Sequence, residues 1–142
     1  MRLLVLIVCC LSSVSALGND DLFLGSWEGG DTAAMSIYGM MKISESTISW
    51  GGRSKSQPKC SATYTLVPED YGVEFKDQTD HVYVTSPNSN FKTYLLKIKG
   101  GKCTLGISHL RLTMDDDHST YLAMVEYKGF TQPLGRMHFF RR

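Results

Sequence analysis

No stretch of the chain is apolar for long enough to cross a bilayer. The longest apolar run, Leu3 to Leu11, is far short of the roughly 20 residues that a spanning helix needs. Neither sign of charge is in excess, since without Arg2 the basic and acidic side chains balance. The only adjacent basic pair, Arg141-Arg142, closes the chain, so nothing in the sequence draws the protein to nucleic acid or anionic lipid. There is no CxxC, no zinc-ligand spacing, no Asn-x-Ser/Thr sequon, no internal repeat and no low-complexity linker. Helical periodicity never persists beyond two turns. These absences disfavour a membrane span, a zinc module, a solenoid and a helical bundle.

The first residues have a definite pattern. Met1-Arg2, the short apolar run and then Ser12 to Ala16 form the basic, apolar and small-residue parts of a secretory signal. Val14 and Ala16 suit cleavage after Ala16. Residues 1–16 are therefore read as a signal peptide and 17–142 as a single domain, long enough for one core. Cys9 and Cys10 leave with the signal, and Cys60 and Cys103 remain. In an oxidising compartment two cysteines most simply pair, which by the loop-entropy model adds about 4 kcal/mol at most.

The rest of the chain alternates at period two, the pattern of half-buried strands. Ile37, Met41 and Ile43 share one parity, Ile48 and Trp50 alternate with Thr47 and Ser49, and Leu110, Leu112 and Met114 alternate with Arg111 and Thr113. Turn residues separate these runs at Glu45-Ser46, Pro68 to Asp70, Ser86 to Asn90, Gly100-Gly101 and Asp115 to Ser119. The count is nine or ten short antiparallel strands. Sequential hairpins favour an up-and-down β-barrel, which also removes exposed strand edges. The best helical candidate is a turn at Asp20 to Leu24, capped by an aspartate. Glu28 to Ala34 reads as leading straight into the next strand, with no lid.

Phe23-Leu24-Gly25-Ser26-Trp27, at the start of the first strand, resembles the Gly-x-Trp motif that opens the lipocalin and calycin folds. The resemblance implies a lipocalin-like barrel closed at one end by Trp27, with a basic side chain from the last strand across its ring. Arg141 is the first choice for that role and Arg136 the second. The missing lid and the signal separate the chain from the cytosolic fatty-acid-binding branch and bring it closer to small secreted lipocalin-like domains.

Catalytic patterns are sparse. Gly106-Ile107-Ser108 is only a fragment of a nucleophile elbow. His81, His109, His118 and His138 have no evident partners in sequence, and Glu28, Glu45, Glu74 and Glu126 are expected on solvated outer faces. Asp115-Asp116-Asp117-His118 offers oxygen ligands for Ca²⁺, but falls where a turn is expected. No catalytic residue, metal or cofactor is assigned. The expected function is non-enzymatic binding of a small apolar molecule inside the barrel, with Ile37, Met41, Tyr64, Tyr83, Leu96 and Leu112 as the wall. The alternative is a protein-binding module or protease-type inhibitor. It would use the arm Leu17 to Phe23 or the loops Arg53 to Lys59 and Pro87 to Phe91.

Overall fold

A computed structural model describes residues 21–104, 106–115, 120–129 and 131–142. The expected signal peptide, most of the N-terminal arm, and Asp116 to His118 of the candidate cation site lie outside the described residues. The elements are β1 (Gly25–Gly29), α1 (Thr32–Ile37), β2 (Met40–Ile43), β3 (Thr47–Gly51), β4 (Lys59–Val67), β5 (Glu74–Lys76), β6 (Val82–Val84), β7 (Phe91–Lys102), β8 (His109–Asp115), β9 (Tyr121–Lys128) and β10 (Gln132–Arg141).

Eight strands close into an antiparallel barrel in the order β1-β10-β9-β8-β7-β4-β3-β2. Chain neighbours pair throughout, except that β5 and β6 leave the wall between β4 and β7 as a separate two-stranded hairpin. Ten strands are present among the described residues, as the hairpin pattern indicates, but two are not staves. The Cys60–Cys103 disulfide forms, with its Cα atoms 5.5 Å apart. It ties the start of β4 to the loop after β7.

Period-two alternation selects the inner face. Trp27, Met41, Ile43, Ile48, Leu96, Leu112, Met124 and Phe139 point inward and are buried in one cluster. On β8 and β9 the alternation breaks down, because both faces are covered. His109, Arg111, Ala123, Val125 and Tyr127 are buried as well. The β5–β6 hairpin, folded back on the outside of the barrel, covers Arg111 and Tyr127. Phe75 and Tyr83 stack at 5.1 Å, and the Arg111 guanidinium lies 4.3 Å over the Phe75 ring.

Arg111 is held by a bidentate pair to Glu69, at 2.8 and 2.6 Å, and by the Thr93 hydroxyl at 3.1 Å. The fork pairs both terminal nitrogens of a cation that burial would otherwise penalise, while its Nε is buried without a hydrogen-bond partner. Nearby, Arg136 Nη1 donates to Asp77 Oδ2 at 3.0 Å, and the Tyr127 hydroxyl donates to the Lys76 carbonyl. Burial alone would raise the Asp77 carboxyl. The Thr79 side chain and N–H, the His81 N–H and the Tyr83 hydroxyl outweigh it and hold Asp77 below its ordinary value.

Glu69→Ala leaves a buried guanidinium without its carboxylate and is expected to destabilise by about 3–5 kcal/mol. The double variant Glu69→Leu/Arg111→Met, which removes both charges together, is expected to cost far less. Urea unfolding of both variants at neutral pH measures the contrast, and equal losses would show that the ion pair does not anchor the hairpin.

Candidate functional site

The two ends of the barrel decide what the interior can hold. At the first end the chain turns at Asp21 to Leu24, where the Leu24 N–H donates to the Asp21 carbonyl at 3.0 Å. This seats Phe23 beneath the barrel, its ring 4.6 Å from that of Tyr94. Trp27 is fully buried, and its indole N–H donates to the Phe23 carbonyl at 2.9 Å. Arg141 lies 4.3 Å over the Trp27 ring, donates to the Leu24 carbonyl at 2.9 Å, and also donates to the Leu22 carbonyl. Gly25 has φ +133°, and a Cβ there would sit 2.7 Å from Arg141 Nη1. The glycine of the motif therefore makes room for the arginine. Tyr64 donates to the Ser44 carbonyl at 2.6 Å, closing the same end. Burial first, then the Asp21 and Glu45 charges, pushes its hydroxyl up to about 12.

At the opposite end lies α1, where the sequence suggested uninterrupted strand. Asp31 is its N-cap, accepting from the Ala34 N–H at 2.8 Å with one oxygen. With the other it accepts from the His138 N–H at 2.7 Å, which pins the helix to β10. Gly29 lets the helix lie close on β1, since a Cβ there would come within 2.6 Å of the Met35 nitrogen. The helix delivers Tyr38 into the barrel mouth, 5.3 Å from the Trp50 ring and 5.7 Å from that of Phe139. The Tyr38 hydroxyl donates to Glu126.

Glu126 is thus buried rather than on a solvated outer face. Burial raises its carboxyl above the ordinary 4.5, against the opposing pull of the Tyr38 hydrogen bond. Burial, followed by the Glu126 charge, also drives the Tyr38 hydroxyl far above its usual range. Under this plug, between Tyr38, Trp50, Ala62, Ile98, Thr104, Ile107 and Leu110, a void of about 10 Å³ remains. That is the scale of one water-sized sphere.

Of the six expected wall residues, Met41, Tyr64, Leu96 and Leu112 do point into the barrel, each no more than 3% exposed. They fill it rather than line a cavity. Ile37 sits on α1 and is 50% exposed, because the local chain is helical and its parity argument does not apply. Tyr83 belongs to the outer hairpin, where its hydroxyl donates to Asp77 at 3.3 Å.

The roomier spaces are outside. A cleft of about 370 Å³ separates the base of the hairpin from β7, lined by residues including Asp70, Tyr71, Pro87, Phe91 and Tyr94. A shallower groove of about 350 Å³ runs between α1 and the β3–β4 loop, lined by Met35, Arg53, Gln57 and Pro58 among others. The two loops considered for protein contact therefore border these two spaces.

Catalytic chemistry finds little support in the geometry. Ser108 Oγ is 3.0 Å from His109 Nδ1, but its single proton faces the Tyr127 and Gly129 carbonyls, each 3.0 Å away. Burial lowers His109 below its usual value. Among the described residues no three His, Cys, Asp or Glu side chains gather into a metal site. No described helix is long and apolar enough to cross a membrane. Comparison with known proteins finds no matching family model, no matching curated protein and no matching solved structure. The closed eight-strand antiparallel barrel is consistent with a calycin-like fold.

Asp31 escaped the sequence reading. The signal that marks it is Asp31-Thr32-Ala33-Ala34, a capping residue before helix-favouring alanines.

Glu126 yields a pH test. The unfolded carboxyl titrates near 4.5 and the folded one higher, so between those values the folded protein holds the extra proton. Stability is then full below about 4.5 and falls as pH rises through that window. Glu126→Gln is expected to be more stable than the parent at pH 7, with the gap closing at pH 4, by urea midpoints. A gap that stays constant with pH would mean that Glu126 is not buried as described. Tyr38→Phe, which strips the carboxyl of its donor, is expected to cost about 1–3 kcal/mol at pH 7.

Proposed function

We propose that the protein is a secreted, non-enzymatic binding protein of lipocalin-like type that engages a macromolecular partner through its outer surface and end loops. The observation that supports this reading is the filled interior. A carrier of small apolar molecules needs a cavity of a few hundred Å³, and the space beneath Tyr38 is about 10 Å³. Both mouths are occupied, one by Phe23, Trp27 and Arg141, the other by Tyr38 and Glu126.

Surface engagement fits the remaining features. The barrel is a rigid frame that presents loops, a common way for closed β folds to bind other macromolecules. The β3–β4 loop is partly organised, since Arg53 N–H donates to Gln57 Oε1 at 3.1 Å and Arg53 faces Glu28 at 3.6 Å. The loop before β7 borders the deeper cleft and carries exposed Pro87 beside the half-buried Phe91. A protease-type inhibitor is one protein-binding form of this reading.

The test is native mass spectrometry of protein recovered from a secreting host, with titration of a fluorescent fatty-acid analogue. The expected result is a bare mass, two hydrogens lighter than the reduced chain, and no saturable uptake of the probe. Stoichiometric uptake would restore the carrier reading and require α1 to withdraw Tyr38 from the mouth.

A further inference from the structure

The balance of charge in the sequence hides a strong segregation in space. The register places Ser26 opposite Lys42, Lys42 opposite Ser49, Ser49 opposite Ser61 and Ser61 opposite Lys102. One transverse row therefore runs across β1, β2, β3, β4 and β7 on the outside of the barrel. At about 4.8 Å per strand, Lys42 and Lys102 stand roughly 14 Å apart along it. Lys59, Lys97 and Lys99 project from the same strands, and all five lysines are exposed. No ion pair holds any of them among the described residues. Arg53 and Lys55 sit in the adjoining loop.

The hydroxyls of Thr47, Ser49, Ser61, Thr63 and Thr65 stand between the lysines, exposed as well. Two shallow troughs indent this face. One, of about 320 Å³, is bordered by Ser26, Lys42, Ser49 and Lys59. The other, of about 210 Å³, is bordered by Thr47, Ser61, Thr63, Gly100 and Gly101. Gly100 has open space where a side chain would stand, which keeps the second trough clear. The acids near this face are Glu45 at the β2–β3 turn and Glu28, which is engaged with Arg53. Most other acids among the described residues fall on the hairpin or the segment leading to it, at Glu69, Asp70, Glu74, Asp77 and Asp80.

We propose that the outer face of β2-β3-β4-β7 is a docking surface for a sulfated polysaccharide. The inference rests on the secreted, surface-binding reading above, because a sulfated glycan is the linear polyanion met outside the cell. Unpaired lysines neutralise sulfate groups and release counterions, as they do with phosphates. Intervening hydroxyls donate to sulfate oxygens, and a gently convex sheet with shallow troughs suits an extended chain rather than a compact ligand. None of these outward positions is aromatic, and Trp50, which lines the first trough with Met40 and Met41, is only 8% exposed, so the face offers no open platform for stacking bases.

The test is retention on immobilised heparin across a salt gradient, comparing the parent with K42S/K59S/K102S and with the off-face control K76S/K128S. The parent and the control are expected to elute together at elevated salt. The triple variant is expected to bind at least about tenfold more weakly and to show a shallower salt dependence, because three charge contacts are lost. Single variants K42S and K102S, from opposite ends of the row, give partial losses and serve if the triple variant misfolds. Failure of the parent to bind heparin, or equal retention of the triple variant, overturns the proposal. So does binding of the parent to duplex DNA or phosphatidylserine vesicles as tightly as to heparin. A heparin-negative protein that still excludes the fatty-acid analogue sinks only the glycan proposal, whereas uptake of the analogue sinks the surface-binding reading instead.

Discussion

The contact between Arg141 and Trp27 is where the barrel becomes a barrel. β1 is short and β10 is the last strand, so their pairing joins the two ends of the sheet. The guanidinium lies over the indole and reaches back to the carbonyls of Leu22 and Leu24. It thereby fixes the incoming chain, the first strand and the last strand at one point. A cation over a desolvated indole contributes about 2 kcal/mol, and the same side chain donates to two part-buried carbonyls. Gly25 is part of this arrangement, since a side chain there would displace the guanidinium.

Closure at that end leaves the opposite mouth as the place where a ligand would enter, and there the chain puts Tyr38. A barrel of eight strands has an interior only just wide enough to be filled or to hold one small guest. Trp27, Phe139 and four methionines, Met41, Met114, Met124 and Met137, take up that interior. Methionine adapts to irregular gaps, which is why so little void remains. With the inside filled, the outside has to carry recognition. There the molecule is divided, with acids gathered on the hairpin and lysines on the sheet across from it.

The fold was legible because alternation is a direct imprint of the pleat. Ile48 and Trp50 against Thr47 and Ser49 mark one strand's inner face without ambiguity. The disulfide followed from the cysteine count and the expected compartment. What escaped had physical causes. Ile37 shares parity with Met41, but the Asp31 cap and two alanines favour a helical turn, and a helix scrambles strand parity. Tyr83 alternates like a stave, yet its strand pairs only with β5, which no local pattern can announce. Glu126 shares parity with the buried Leu122 and Met124, but a carboxylate reads as outward until its partner is known, and the arrival of Tyr38 from a distant helix is a tertiary event. The lysine face was invisible for the same reason. Lys42, Lys59 and Lys102 are remote in sequence and meet only through register.

The central claim is that the barrel is solid. It is tested most directly by following the methyl resonances of Met41, Met114, Met124 and Met137 while xenon is dissolved in the sample, since xenon enters dry apolar cavities. The account predicts shifts that stay small and rise linearly with xenon pressure, as for any surface contact. Saturable shifts shared by these four methyl groups would reveal an empty cavity and contradict the account.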